Sequence, residues 1–156
     1  MKSILFATLL CFFTVASASA QDVYKEILRL SKAVAKDTKK DIEARKIATF
    51  KVDELQYMAM KTIELMPDSS ARVLDVQAYA MYEFVNLFVK RLSEAKKKTD
   101  KDIVKTRFMN ASINHSRFND MDKDLVWSYY SNPNYITRFS LDTDWVKALA
   151  EVRSKR

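Results

Sequence analysis

The 156-residue chain carries 27 Lys and Arg against 20 Asp and Glu, with one histidine, one cysteine and no glycine. Glycine supplies positive φ in tight turns and lets backbone approach a phosphate closely, so its absence excludes a P-loop, a dinucleotide-binding turn, the usual nucleophile elbow and Asn-Gly hairpins. A glycine-free chain rich in Ala, Leu, Met, Lys and Glu predicts an all-α fold.

Residues 1–20 read as a cleaved secretory signal. Lys2 gives a positive start, 4–15 form an apolar core, and Ala18-Ser19-Ala20 offers small residues ahead of cleavage before Gln21. That core falls short of the ~20 apolar residues a spanning helix requires, which argues against a retained membrane anchor. Cys11 lies inside the apolar core rather than after small residues at its end, so lipid anchoring is not expected. Removing the signal removes the only cysteine, and with it thiol nucleophiles, disulfides and cysteine metal sites. Residues 21–156 are then expected to form one exported α-helical domain, periplasmic or secreted.

In the mature part, Val23, Ile27, Leu30 and Val34 fall at helical spacing and predict a first amphipathic helix to about Ala35. Segment 36–46 is charged and reads as a helical continuation or an exposed connection. At 47–52, Ala48, Phe50 and Val52 alternate as in a strand, but a lone strand has nothing to pair with, so extended chain or helix is expected. Asp53 with Gln56 predicts a capping-box start, followed by an inner face of Leu55, Met58, Thr62, Leu65 and Met66 that Pro67 ends. Segment 67–70 is a turn that caps the next helix.

Stretch 71–92 is apolar around most of its circumference, apart from a stripe of Arg72, Asp75, Tyr79, Glu83, Asn86 and Lys90. It predicts a buried central helix, with only that stripe reaching water and neighbours covering the rest. Thr99 with Asp102 predicts another helix facing inward through Ile103, Val104, Phe108 and Ala111. Composition then shifts to Asn, Ser, His and Asp over 110–120, as in a loop or frayed end. Asp122 or a neighbour caps a short helix with Leu125, Val126, Tyr129 and Tyr130 inward, ended by Asn132-Pro133. After an irregular segment at 134–141, Asp142 is expected to cap a last helix bearing Trp145, Leu149 and Val152. The expectation is a single compact bundle of about six helices around 71–92, with no repeat at solenoid spacing.

The titratable constellations favour structural readings. Asp120, Asp122 and Asp124 alternate as in a calcium loop, but Leu125 and Ser131 stand where the loop needs glycine and a bidentate glutamate. Helix capping explains them, and also Asp142 and Asp144, because a helix start attracts negative charge. His115, among Asn114 and Ser116, lacks a nucleophile in a recognisable setting and reads as a loop residue. Asp75 and Glu83 stand roughly 12 Å apart along a helix, beyond the separation of paired glycosidase carboxylates. Neither a metal nor a cofactor is expected.

Two surfaces remain for binding. Between 90 and 107 there are eight Lys and Arg against three acids, and Lys96, Lys97, Lys98, Lys101 and Lys105 form the densest part. Such a patch suits an anionic envelope component, lipopolysaccharide phosphate or an acidic glycan. Aromatic interleaving is absent there and the chain is exported, so nucleic acid is not an expected partner. The second surface is aromatic, 127–145, where Tyr130, Asn132, Tyr135 and Trp145 are candidates for a glycan site beside Trp127, Tyr129, Phe139 and Asn134. Rings at helical spacing are more often core.

Ile47-Ala48-Thr49-Phe50-Lys51, the run Leu74-Asp75-Val76-Gln77-Ala78-Tyr79 continuing through Glu83-Phe84, the turn Phe118-Asn119-Asp120, and Phe139-Ser140-Leu141-Asp142-Thr143-Asp144-Trp145 together resemble small exported proteins of gut Bacteroidales. The resemblance implies export from a Gram-negative cell and one helical domain. No activity is assigned to that family, so no functional residue transfers. The sequence therefore points to a non-catalytic binding or interaction module with a protein or glycan partner. The alternatives are polyanion or glycan binding, then a carboxylate-based hydrolase.

Overall fold

Helix-forming composition without glycine gives six α-helices and no strand among the described residues, which are 22–120, 122–132 and 137–154 of a computed structural model. The expected signal at 1–20 and the candidate Tyr135 lie outside them. The helices are α1 (Asp22–Lys36), α2 (Ile42–Leu65), α3 (Ser70–Glu94), α4 (Lys98–Asn114), α5 (Lys123–Ser131) and α6 (Trp145–Ser154), with a 3₁₀ turn at Pro67–Ser69 before α3. An isolated bridge joins Ser116 to Thr143. None of the described helices is long and apolar enough to cross a membrane.

The strand-like alternation at 47–52 lies within α2. This helix starts at Ile42, where the Asp41 carboxylate accepts the N–H groups of Glu43 at 2.9 Å and Ala44 at 3.1 Å. Asp53 is consequently mid-helix rather than a cap, and its carboxylate accepts the Tyr129 hydroxyl. Helical periodicity is present at 48, 51, 54, 55, 58 and 62, all buried, but two of those positions hold Lys51 and Glu54. Charges on the inward face broke the apolar pattern that would have announced the helix.

Helix α3 is central, packing against α1, α2, α4 and α6. Leu74, Gln77, Ala78, Ala80, Met81, Phe84, Val85 and Phe88 are buried on it. Phe84 stands edge-on to Phe108 at 5.0 Å, to Phe139 at 5.2 Å and to Trp145 at 5.2 Å, and Phe88 to Phe139 at 5.1 Å. Edge-to-face packing sets the positive ring edge on a negative ring face, adding to the gain from burying large apolar areas. The helix is more open than its composition implies. Val76, 51% exposed, shares the outer stripe with Arg72 and Tyr79, and Val89 is exposed too.

Other inward faces are also rotated from expectation. Helix α1 buries Ile27 and Ser31 and packs with Tyr24 and Leu28, leaving Val23 and Leu30 outside. Its first turn is held from α3, because Asp75 accepts the Tyr24 N–H at 2.9 Å. That bond satisfies one of the donors every helix start leaves over. Helix α4 buries Phe108 and Ala111 as expected, but Ile103 is 58% exposed. The α6 cap is Asp144, whose carboxylate accepts the Lys147 N–H at 3.3 Å, and not Asp142.

Candidate functional site

The chain leaves α3 at Glu94 and enters α4 at Lys98 through Ala95, Lys96 and Lys97. Lys97 is the N-cap and offers no side-chain hydrogen bond to the first turn. A helix start carries partial positive charge, where acids and side-chain acceptors stabilise and lysines do the opposite. Here Lys96, Lys97 and Lys98 stand at that end, with Lys101 and Lys105 following, and all five are exposed. Among the described residues none of the five is held in an ion pair, whereas nearby Lys90 approaches Glu94 at 4.0 Å. The arrangement concentrates positive potential that Asp100, in the first turn, and Asp102 offset only in part.

Beside this connector lies a groove of about 310 Å³ between α3 and α6, lined by Glu83, Asn86, Leu87, Lys90, Arg91 and Arg153. Arg153 meets Glu83 at 3.0 Å. Behind the groove, Lys51 donates to Asn86 Oδ1 at 2.9 Å and sits over the Tyr82 ring at 4.5 Å. Burial, which disfavours the charged ammonium, pushes the Lys51 pKa down to about 8.

The aromatic candidates separate. Trp145 is 0% exposed and belongs to the core, as do Phe139 and Tyr129. Its indole N–H donates to Glu54 Oε1 at 2.7 Å, so it presents no stacking face to a ligand. Tyr130 and Asn132 are half-buried, and the Asn132 backbone N–H closes α5 on the Ser128 carbonyl at 3.1 Å. Trp127 is 59% exposed, its ring 5.1 Å from that of Tyr130. The structure thus pairs Tyr130 with Trp127, leaves Asn132 at the end of the same helix and removes Trp145 from the surface.

Most interior carboxylates serve the fold. Asp142 takes N–H groups from Phe118 at 2.6 Å, Asp120 at 3.1 Å and Arg117 at 3.3 Å, together with the Ser116 hydroxyl. The loop wraps the carboxylate by turning through Asn119 at φ 50°. Asparagine is the residue that best tolerates the left-handed region when glycine is not used. Burial works against ionisation of Asp120, but bonds from Tyr57 at 2.7 Å, from the Asp122 N–H and from Lys61 outweigh it and hold its carboxyl below the usual range. Asp144 is likewise burdened by burial and held low by Gln77, Lys147 and Arg117. Glu54, fully buried, is pushed well above the carboxylate range by burial, with Asp142 nearby adding to the shift and the Trp145 bond opposing it.

His115 Nε2 lies 2.8 Å from Glu151 Oε2, joining the end of α4 to α6. The adjacent Ser116 hydroxyl is committed to Asp142. Asp120, Asp122 and Asp124 do not converge; Asp122 caps α5 through the Leu125 N–H. Among the described residues there is no group of three or more His, Cys, Asp or Glu placed to hold a metal ion. Lys51, Glu54 and Arg153 were not singled out from sequence. Only the first two left a trace, as charges at inward helical positions. Comparison with known protein families, with curated proteins and with solved structures finds no match to this chain.

Proposed function

We propose that this chain is an exported, non-catalytic binding module that holds an anionic envelope component at the corner where α3 gives way to α4. The observation carrying the reading is the set of five exposed lysines, Lys96, Lys97, Lys98, Lys101 and Lys105, crowded at an uncapped helix start without ion pairs among the described residues. Like charges gathered there repel one another and oppose the helix dipole, so a polyanion relieves both costs. Lipopolysaccharide phosphates and sulfated or uronic glycans are the fitting class. Export to the periplasm or beyond, supported by the character of residues 1–20 and by the resemblance to exported Bacteroidales proteins, brings the patch to such ligands.

The test is retention on immobilised heparin and on lipopolysaccharide across a salt gradient. A surface lysine near an anionic surface contributes about 1 kcal/mol, so changing Lys96, Lys97 and Lys98 together to Gln is expected to weaken binding about tenfold or more at low salt. Weak retention by the parent protein that this triple substitution leaves unchanged would exclude the patch as a site.

A second reading has its own support. Trp127 beside Tyr130, with Asn132 at the same helix end, forms an exposed aromatic platform suited to a sugar face. Envelope oligosaccharides are then expected to change tryptophan fluorescence, and Trp127→Ala to abolish the change. A response that survives Trp127→Ala would count against the glycan platform.

A further inference from the structure

We propose that the α3–α6 groove is a discrete subsite for a tetrahedral oxyanion, a phosphate or sulfate monoester, with Arg91, Arg153, Lys90 and Asn86 as its ligands. The inference deepens the polyanion reading by giving it a headgroup pocket, and in that sense it rests on it. Three cationic side chains and one carboxylate, Glu83, line the groove, so an incoming anion meets an excess of positive charge.

Arg91 carries the argument. Its Nη1 is buried and has no hydrogen-bond acceptor among the described residues, while its guanidinium lies over the Phe108 ring at 5.5 Å. A buried cationic donor is normally matched by an acceptor, and the guanidinium fork suits two oxygens of one oxyanion. Asn86 has a donor to offer as well. Lys51 can only donate, so the amide atom facing it must be the oxygen, which leaves Nδ2 as a donor on a residue lining the groove. Arg153 and Lys90 bring exposed charge at the rim, Arg153 bonded to Glu83 at 3.0 Å and Lys90 approaching Glu94 at 4.0 Å, both pairs open enough to water for an anion to compete with the acid. The volume of about 310 Å³ admits a phosphorylated or sulfated sugar-sized group but not a folded partner.

The experiment titrates the purified protein with inorganic phosphate, and separately with phosphatidylcholine vesicles with and without phosphatidic acid, following side-chain NMR signals of Arg91 and Asn86 and vesicle co-sedimentation. Binding is expected in at least one arm, phosphate identifying a free anion and phosphatidic acid a lipid headgroup. Arg91→Met, which keeps a stem over Phe108, is expected to weaken it about tenfold or more. Arg153→Gln alters an exposed side chain and supplies the same test should Arg91→Met fail to fold. No binding in either arm, or binding indifferent to both substitutions, overturns the subsite. Heparin retention separates the two ideas. If retention depends on Lys96, Lys97 and Lys98 while the groove binds neither probe, the patch stands and the subsite falls. Groove binding lost in Arg91→Met beside lysine-independent retention has the converse meaning.

Discussion

Replacing Asp142 with alanine is expected to cost about 3 kcal/mol or more of folding stability, because several hydrogen-bond donors lose one buried acceptor at once. Four donors converge on that carboxylate, and alanine takes the acceptor from the Phe118 and Asp120 N–H groups and the Ser116 hydroxyl, while the Arg117 N–H keeps the Asp142 carbonyl at 3.1 Å. Each buried donor left unmatched costs about 1–3 kcal/mol, which makes the loss larger than that of any surface change in this chain. Urea denaturation followed by far-UV circular dichroism measures it. Amide exchange at Phe118 and Asp120 should accelerate beyond the global loss, because their acceptor has gone. Asp142→Asn, which keeps one oxygen but turns an amide group toward N–H donors, is expected to fall between alanine and parent. A loss under about 1 kcal/mol for alanine would mean that the loop does not depend on this carboxylate.

The second large effect concerns pH. Glu54 is fully buried, and burial pushes its pKa well above that of an unfolded chain. The folded state therefore keeps a proton that the unfolded state has already released. The stability this contributes is complete below the unfolded value, near 4.5, and is lost as pH rises toward the folded value. Glu54→Gln has the same shape, retains an oxygen for the Trp145 indole and does not titrate. Near pH 4.5 the two proteins are expected to be equally stable, because the Oε2 side has no partner among the described residues in either case. As pH rises toward the folded value the variant is expected to become the more stable, by on the order of 1 kcal/mol for each pH unit. Lys51 acts in the opposite sense. Its folded pKa is lowered to about 8, so its contribution to stability grows as pH rises from there toward the unfolded value of 10.5. Comparing parent and variant at each pH cancels that term. A gap that stays flat with pH would mean that Glu54 is not protonated in the fold.

Much of the helix order was readable because local signals acted alone. Asp122 ahead of Leu125, and Trp145, Leu149 and Val152 at helical spacing, gave α5 and α6 almost without reference to the rest of the chain. The lysine connector was equally plain, since exposure needs no partner to explain it. Reading failed where tertiary packing decided the outcome. The buried positions of Lys51 and Glu54 depend on Asn86, Tyr82 and Trp145, and no window around residue 50 contains those groups. For the same reason Asp142 read as a helix cap, although the loop it serves lies more than 20 residues earlier. The groove was not visible at all, because Arg153 meets Glu83 across a separation of 70 residues.

Trp145 has a consequence for the order in which this chain can fold. Its indole bonds Glu54 91 residues away, its backbone N–H bonds Gln77 68 residues away, and its ring meets Phe84, Phe139 and Phe50. The links to Glu54 and Phe50 are among the most distant in the core, and distant contacts form only after the entropy of closing a long loop has been met. Until α6 arrives, Glu54 and Gln77 lack their Trp145 partners, and Phe84 and Phe50 each lack one of the rings they pack against. A chain synthesised in order from its N-terminal end therefore lacks these contacts until α6 emerges. Trp145 thus sits on the last of the described helices, and the contacts it makes are among the last of this core that a growing chain can complete.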